Sequence, residues 1–340
     1  MQATDDATDE RFMRLAIANA RTVRLATSPN PWVGCVVVAR DGDVFQGATS
    51  EPGGPHAEIE ALRRAEAAAK GATLYTTLEP CAHTGRTPPC VDAILDAGVR
   101  RVVIGIDDPD EQVGGRGATR LRDAGIDVTS GVLAADVARQ LAPYLTHRRT
   151  GRPHVVLKLA MTLDGYIAAP DGSSTWITGA AARADAHRLR AESDAVLVGA
   201  GTVRADDPML TVRNFTATDA VPSAGLDPLR IVLGKVPPGA RVAPAFEYQG
   251  DINALLADLG RRGVLQLMVE GGAEVAGQFH RAGLVDEYVM YLAPAFMGGD
   301  RGRRAFAGDG APTMAELTRG KFVSIDRLGD DVRIVVVVER

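Results

Sequence analysis

Several features are scarce in this sequence, and each scarcity excludes something. Three cysteines in 340 residues are too few for the disulfide framework that staples small secreted domains. No apolar run reaches the roughly 18 residues expected of a membrane-spanning helix. The opening, MQATDDATDERF, is acidic and has neither a basic n-region nor an apolar h-region, so no secretory leader is expected there. Basic excess is missing too. The 38 Lys and Arg against 43 Asp and Glu leave a formal charge of −5, unlike the cationic footprint of a polynucleotide-binding protein. A phosphorylated substrate must then be held by a few local cations or backbone amides. Tandem repeats and low-complexity tracts are also lacking. What is plentiful is apolar mass, 46% of residues, which argues for buried cores and against wholesale disorder. At about 150 residues per domain the length suggests two α/β domains, expected in the cytoplasm.

Hydrophobic spacing alternates between helix and strand along the chain. From about Glu10 to Arg24, RFMRLAIANARTVRL places Phe12, Leu15, Ala16 and Ala20 on one helical side. SPNPWVG reads as a loop and Cys35–Val38 as a buried strand. AEIEALRRAEAAAKGA is helical by composition and stops at Gly71. Then come the strand ATLYTTL, the helix CVDAILDAG and the strand RRVVIGI. LRDAGIDV repeats the helix–Gly–strand step, the alternation of a layered α/β domain. HRRTGRPHV has the charge and Gly/Pro content of a linker. It sets a boundary near residue 150 and divides the chain into 1–150 and 151–340. Beyond it, HVVLKLAMTLDG, AVLVGAG, RIVLG, LQLMVEGG, EYVMYLAP and RIVVVVE read as strands. ARADAHRLRAES and AEVAGQFHRAG read as helices, and residues 214–230 as a surface loop.

The chemistry of the first half lies in GGPHAEIEAL and TLEPCAHTGRTPPCVDAI. His56 and Glu58 open one helix, Cys81 follows a strand, and Cys90 opens another helix after Pro88–Pro89. One imidazole and two thiolates leave a fourth tetrahedral position open for water, as a catalytic zinc site requires. Helix N-termini favour thiolate over thiol. Glu58, two residues past His56, is placed to reach that water and to move its proton to a leaving amine. Zinc deaminases divide the work in this way, although their general pattern has two residues between the cysteines and here there are eight. A lone Cys or His is more often structural, and a closed structural site takes a fourth Cys or His. Cys35, between Val33 and Val36, suits core packing.

The second half is less explicit. VEGGAEVAG is a strand, a Gly pair and a helix, whose exposed amides suit phosphate. VGAGTVRADDPMLTVR is a post-strand loop in which Gly199, Gly201 and Thr202 allow close approach to a ligand. Lys158 in VVLKLAM is costly in a buried strand unless paired, which points to a site; an edge strand is the plain alternative.

Taken together, these motifs resemble the RibD (also called RibG) family of bifunctional riboflavin-biosynthesis enzymes. PNPWVG, HAE, PCAHTGRTPPC and GIDDPDEQVGGRG are similar to its deaminase domain over almost all of residues 10–147. LKLAMTLDG, STWITG, VGAGTVRADDPMLTVR and VEGGAEVAGQF are similar to its reductase domain from about residue 153 onward. The resemblance implies a cytidine-deaminase-like α/β/α domain followed by a dihydrofolate-reductase-like α/β domain that uses NADPH. It implies zinc on His56, Cys81 and Cys90, a proton shuttle at Glu58, and substrate contacts from Asn30, His83, Arg86 and Asp108. It places NADPH against Ala160, Trp176, Thr202, Asp206 and the Gly271–Gly272 turn, and substrate against Ser174, Arg190, Leu210, Arg213 and Glu270. Arg190 and Arg213 suit a phosphate because guanidinium pairs with it bidentately. Lys158 and Glu270 are the polar groups expected near the hydride-accepting carbon. Three positions depart from the family's pattern. Thr49 stands where His is frequent, Asp110 where an amide is usual, and Gly234 where an acid or Ser is common.

The implied activity is hydrolytic deamination at C2 of 2,5-diamino-6-(5-phosphoribosylamino)pyrimidin-4-one, followed by reduction of the ribosyl side chain to ribityl. The implied partner is a small phosphorylated pyrimidine, with no nucleic acid and no membrane, and the implied assembly is a homo-oligomer, dimer or tetramer. Three alternatives stay open on the residues alone: a deaminase of another nucleobase, a protein with one silent domain, and a non-catalytic zinc-stabilised binding module.

Overall fold

In the first unit, α1 (Gln2–Thr22) precedes the hairpin β1 (Gly34–Val38) and β2 (Val44–Ala48). There follow α2 (Ala57–Ala65), β3 (Thr73–Leu78), α3 (Cys90–Asp96), β4 (Arg101–Ile106), α4 (Arg116–Asp123), β5 (Asp127–Ser130), α5 (Ala134–Gln140) and α6 (Ala142–Thr150). The computed structural model describes residues 2–83, 88–110, 114–213 and 226–339. These divide into two compact units that part between Thr150 and Gly151.

The first unit's sheet runs β2-β1-β3-β4-β5, antiparallel across β2/β1 and β1/β3 and parallel thereafter. Met13, Ala16, Ile17 and Ala20 recur at helical spacing and are buried, so α1 lays one apolar stripe on the sheet. The small residues of that stripe permit close contact with β1. A Cβ at Gly34 would fall 1.9 Å from the Ala16 carbonyl oxygen. The parallel strands β3 and β4 end on the same side, and the segments leaving them carry Glu79–Cys81 and Asp107–Asp108. Carboxyl ends of parallel strands are where α/β sheets bind ligands.

The second unit begins with β6 (His154–Thr162), β7 (Tyr166–Ala168), α7 (Ala180–Ala191), β8 (Ala195–Gly199), α8 (Ala200–Asp206), β9 (Leu229–Leu233) and β10 (Phe246–Tyr248). It continues with α9 (Ile252–Arg261), β11 (Gln266–Val269), α10 (Ala273–Arg281), β12 (Glu287–Ala293), β13 (Arg303–Arg304), β14 (Gly320–Leu328) and β15 (Asp331–Val338). Its eight-stranded sheet is ordered β10-β9-β8-β11-β6-β12-β15-β14, with β7 and β13 pairing separately. Strands from β10 to β12 are parallel, and β15 and β14 close the sheet antiparallel. β6 is interior, between β11 and β12, so Lys158 does not lie on an edge strand.

Several local expectations are corrected. The charged stretch expected as linker is helical to Thr150. His147, Arg148 and Arg149 form the last turn of α6, where cations oppose the helix dipole favourably. The loop expected after β8 begins as α8, which ends where Asp207 turns to φ 39° ahead of Pro208. β2, α5, α9 and β14 are additional elements. For α9 the signal was present: the Asp251 carboxylate caps it by accepting from the Ala254 amide at 3.0 Å, and Leu255, Leu256 and Leu259 supply the buried face. Of the expected loop 214–230, residues 214–225 lie outside the described residues and Leu229–Arg230 belong to β9.

The entry of the second unit is tied by charge. Arg152 grips Asp286 bidentately at 2.7 and 2.8 Å, and the Val155 amide donates to the same carboxylate at 2.8 Å. Burial pushes Asp286 up, yet Arg152, His154 and that amide hold it below the ordinary carboxylate range. A depressed folded pKa stabilises above the unfolded value of about 3.9 and ceases to do so as pH falls through the folded one. Asp286→Asn therefore costs about 3 kcal/mol at pH 7. The difference from wild type narrows toward pH 3 in urea unfolding; an equal gap at both pH values contradicts this account.

Candidate active sites

In the first unit, α2 starts immediately after His56 and α3 starts at Cys90. The loop leaving β3 brings Cys81 to both. His56 Nδ1 lies 3.6 Å from Cys81 Sγ and 3.2 Å from Cys90 Sγ, and the Cys90 amide donates to Cys81 Sγ at 3.3 Å. One ligand-type atom from each of His56, Cys81 and Cys90 falls within 4.8 Å of the others. That clustering and N/S chemistry suit a small tetrahedral ion. The hydrogen bond with Cys90 draws the Cys81 thiol well below its ordinary value, and the same bond and burial push Cys90 up. Glu58, in the first turn of α2, is 3% exposed, and burial lifts its carboxyl to about 6 despite His56 nearby. A carboxyl poised near neutrality can take and return a proton.

His56, Cys81 and Glu58 line a cavity of about 390 Å³ that also includes Asn30, His83 and Asp108. His83 Nδ1 is buried and has no partner among the described residues. Asp108 is pushed up to about 6 by burial and accepts at both oxygens from the Tyr144 hydroxyl, 3.1 Å each. Glu79 fixes this loop from beneath, accepting from the amides of Asp108, Gly115 and Ala118 at 3.2, 3.0 and 3.0 Å. Thr49 does not face a ligand with a free hydroxyl, since it is buried and its Oγ1 exchanges hydrogen bonds with the Val33 amide and carbonyl. Arg86 lies outside the described residues.

In the second unit, Glu270 follows β11 and faces α7. Arg190 closes its fork on that carboxylate at 2.8 and 3.0 Å, with Nη1 on the Thr211 carbonyl at 2.6 Å. Both side chains are 10% exposed. This differs from the expectation of two phosphate-gripping arginines, because Arg190 is already committed while Arg213 is exposed. Burial pushes Glu270 up, but Arg190 and Lys158 hold it below its ordinary range. Burial lowers the Lys158 ammonium, which Glu270 partly restores.

The residues expected at the cofactor are brought together in part. The Gly272 amide donates to Thr202 Oγ1 at 3.2 Å, and the Ser174 hydroxyl donates to Asp206 at 3.2 Å. A Cβ at Gly271 would lie 2.4 Å from Val275, so the turn before α10 needs glycine there. Ala160 lies opposite Tyr291 across β6 and β12. Trp176 is 73% exposed, with the Arg183 guanidinium 4.4 Å from its ring centre. The Leu210 side chain is buried with Val196, Val198 and Val203. Gly234 takes φ +111° with Ala200 Cβ 2.8 Å from its would-be Cβ, which explains why no acid or Ser fits that backbone.

Three residues at these sites were not anticipated. Tyr144 and Arg148 line the first cavity from α6; Arg148 fell in the stretch expected as linker, and Tyr144 lies just before it. His187 lies one turn before Arg190 and accepts from the Arg213 amide at 3.1 Å. Burial and the adjacent Arg190 and Arg213 lower it to about 4, which suits that acceptor role.

Comparison with known proteins matches residues 6–106 to the cytidine and deoxycytidylate deaminase zinc-binding region and residues 153–334 to the RibD C-terminal domain. The riboflavin biosynthesis protein RibD of Escherichia coli is 40% identical, the alignment covering 97% of this chain and 99% of that protein. The Mycobacterium tuberculosis protein of the same name is 43% identical over 96% of this chain and 97% of that one. Among solved structures, Acinetobacter baumannii RibD superposes with a TM-score of 0.90 at 36% identity, covering 98% of this chain and 100% of that one. A Thermotoga maritima diaminohydroxyphosphoribosylaminopyrimidine deaminase/5-amino-6-(5-phosphoribosylamino)uracil reductase reaches 0.85 at 32% identity, with coverage of 98% and 100%.

Proposed function

The chain belongs to the RibD family, and from that membership we propose how its residues divide the work. It is a bifunctional deaminase and reductase of riboflavin biosynthesis that uses zinc and NADPH. We assign deamination of 2,5-diamino-6-(5-phosphoribosylamino)pyrimidin-4-one to residues 1–150 and reduction of the deaminated product to residues 151–340.

The observation that carries the first assignment is the convergence of His56, Cys81 and Cys90 beside a buried carboxyl raised to about 6. His56, Cys81 and Cys90 would hold zinc, which supplies when bound a water acidic enough to act as nucleophile near neutral pH. Glu58 takes a proton from the water attacking C2 and gives it to the ring nitrogen, then carries the hydroxyl proton of the adduct to the amino nitrogen, so that the C2–N bond breaks, ammonia leaves and a C2 carbonyl forms. Asn30, His83 and Asp108 orient the ring.

In the second half, the chemistry that NADPH would supply when bound is a hydride for C1′ of the open-chain imine. Glu270, paired bidentately with Arg190 and held below its usual range, is ionised and has no proton to give. Lys158 therefore protonates the imine nitrogen. Ala160, Trp176, Thr202, Asp206, Gly271 and Gly272 would line the cofactor, and Ser174, Leu210 and Arg213 the substrate.

We further propose a cytoplasmic homo-oligomer. Its support is the outermost strand β14, which leaves Phe322 69% and Ile325 61% exposed; among the described residues no helix is long and apolar enough to cross a membrane. One preparation tests these readings. Ammonia release should precede NADPH oxidation on the phosphoribosyl diaminopyrimidine, and the solution mass should be a multiple of 35.8 kDa. Neither signal from folded, zinc-loaded protein overturns the enzymatic assignment, and a monomeric mass overturns the oligomer.

A further inference from the structure

We propose that Arg148 takes the phosphate of the pyrimidine substrate in the first-unit cavity, with Asp110 and Tyr144 holding its guanidinium ready. This rests on the deaminase reading above. The described lining of the cavity includes the carboxyl groups Glu58, Glu79, Asp108 and Asp110 and a single guanidinium or ammonium group, that of Arg148. Among the described lining residues Arg148 is thus the cation whose charge suits a phosphate ester. Neutral Asn30 offers no compensating charge, and the Thr49 hydroxyl is spent on the Val33 backbone.

The side chain is oriented from two directions. Arg148 Nε faces Asp110 Oδ2 at 3.4 Å, and its guanidinium carbon lies 5.1 Å from the Tyr144 ring centre. Tyr144 is itself anchored on Asp108, at the floor of the same cavity. Asp110 thus serves as a support for the arginine. Five N–H donors on one guanidinium allow it to keep Asp110 through Nε and to present further donors to a phosphate. Holding the group in place beforehand removes part of the ordering cost of binding. The placement of Arg148 on the last turn of α6, four residues past Tyr144, puts both on one helical face.

The experiment compares zinc-loaded full-length wild type, Arg148→Gln and Arg148→Lys on two compounds: the phosphoribosyl diaminopyrimidine and its dephosphorylated riboside. Arg148→Gln raises KM for the phosphorylated compound about 10- to 100-fold, the range expected for a lost charged hydrogen bond, with kcat little changed. KM for the riboside stays near wild type. Arg148→Lys, which keeps the charge and loses the fork, falls between. Equal changes for both compounds, or none, in either variant overturn the proposal. NADPH oxidation of pre-deaminated substrate by the same samples reports whether the variants are folded. A wild type that releases ammonia from neither compound overturns the deaminase reading, whereas a wild type that deaminates the phosphorylated compound and variants whose KM values shift equally for both compounds, or not at all, overturn only the role of Arg148.

Discussion

Glu58→Gln lowers ammonia release about 10²- to 10⁴-fold, while zinc content and NADPH oxidation of pre-deaminated substrate stay at wild-type levels. The change is nearly isosteric, so the packing of α2 against its neighbours is kept and the proton-carrying group alone is lost. The carboxyl is well suited to that loss being decisive. It is 3% exposed and raised by burial to about 6, so it both accepts and returns a proton near neutral pH. An amide does neither. His56, Cys81 and Cys90 are untouched, so metal analysis separates a defective ligand set from a missing shuttle. A variant that keeps more than a tenth of wild-type deamination refutes the role assigned to Glu58. Absence of ammonia release from the wild type itself, with zinc needed only for folding, restores the binding-module alternative.

The zinc set was legible in the sequence because each member sits next to punctuation. His56 and Cys90 open helices after Pro55 and Pro89, and Cys81 follows Pro80 at the end of a strand. The structure brings those three segment ends together as the spacing suggested. Long-range pairing was not legible. Arg190 and Glu270 are 80 positions apart, and nothing in either local sequence shows that the Arg190 guanidinium is closed on a carboxylate. The edge-or-interior question for Lys158 likewise depended on strand order, which sequence periodicity does not carry. Arg148 and Tyr144 were hidden for a different reason. Arg148 falls in a stretch of linker composition that starts at His147, and the helix that joins it to Tyr144 follows from tertiary packing of Pro143, Tyr144 and Leu145 rather than from propensity. The departure at Gly234 has a backbone cause, the approach of Ala200, visible only once α8 is known to follow β8 directly.

Lys158→Met abolishes reduction while sparing deamination, with NADPH oxidation falling about 10²- to 10⁴-fold and ammonia release unchanged. Met is close to Lys in length and fits the interior position of β6 between β11 and β12. Glu270 keeps Arg190 as its partner, so no buried charge is stranded and stability is expected to hold. Glu270→Gln is the instructive contrast. It removes the partner of a guanidinium that is 10% exposed, and an uncompensated buried charge costs about 3 kcal/mol. That variant therefore loses both reduction and thermal stability, whereas Lys158→Met loses reduction alone. The separation follows from the charges themselves: burial weakens the hold of Lys158 on its proton, and Glu270 is kept ionised by Arg190 and Lys158. A proton donor must hold a proton and be able to release it, which favours Lys158 over the ionised Glu270. Retention of more than a tenth of the reductase rate in Lys158→Met would show that the proton comes from elsewhere. Glu270→Gln with full stability would then count against the closed Arg190–Glu270 fork on which the assignment of Lys158 depends.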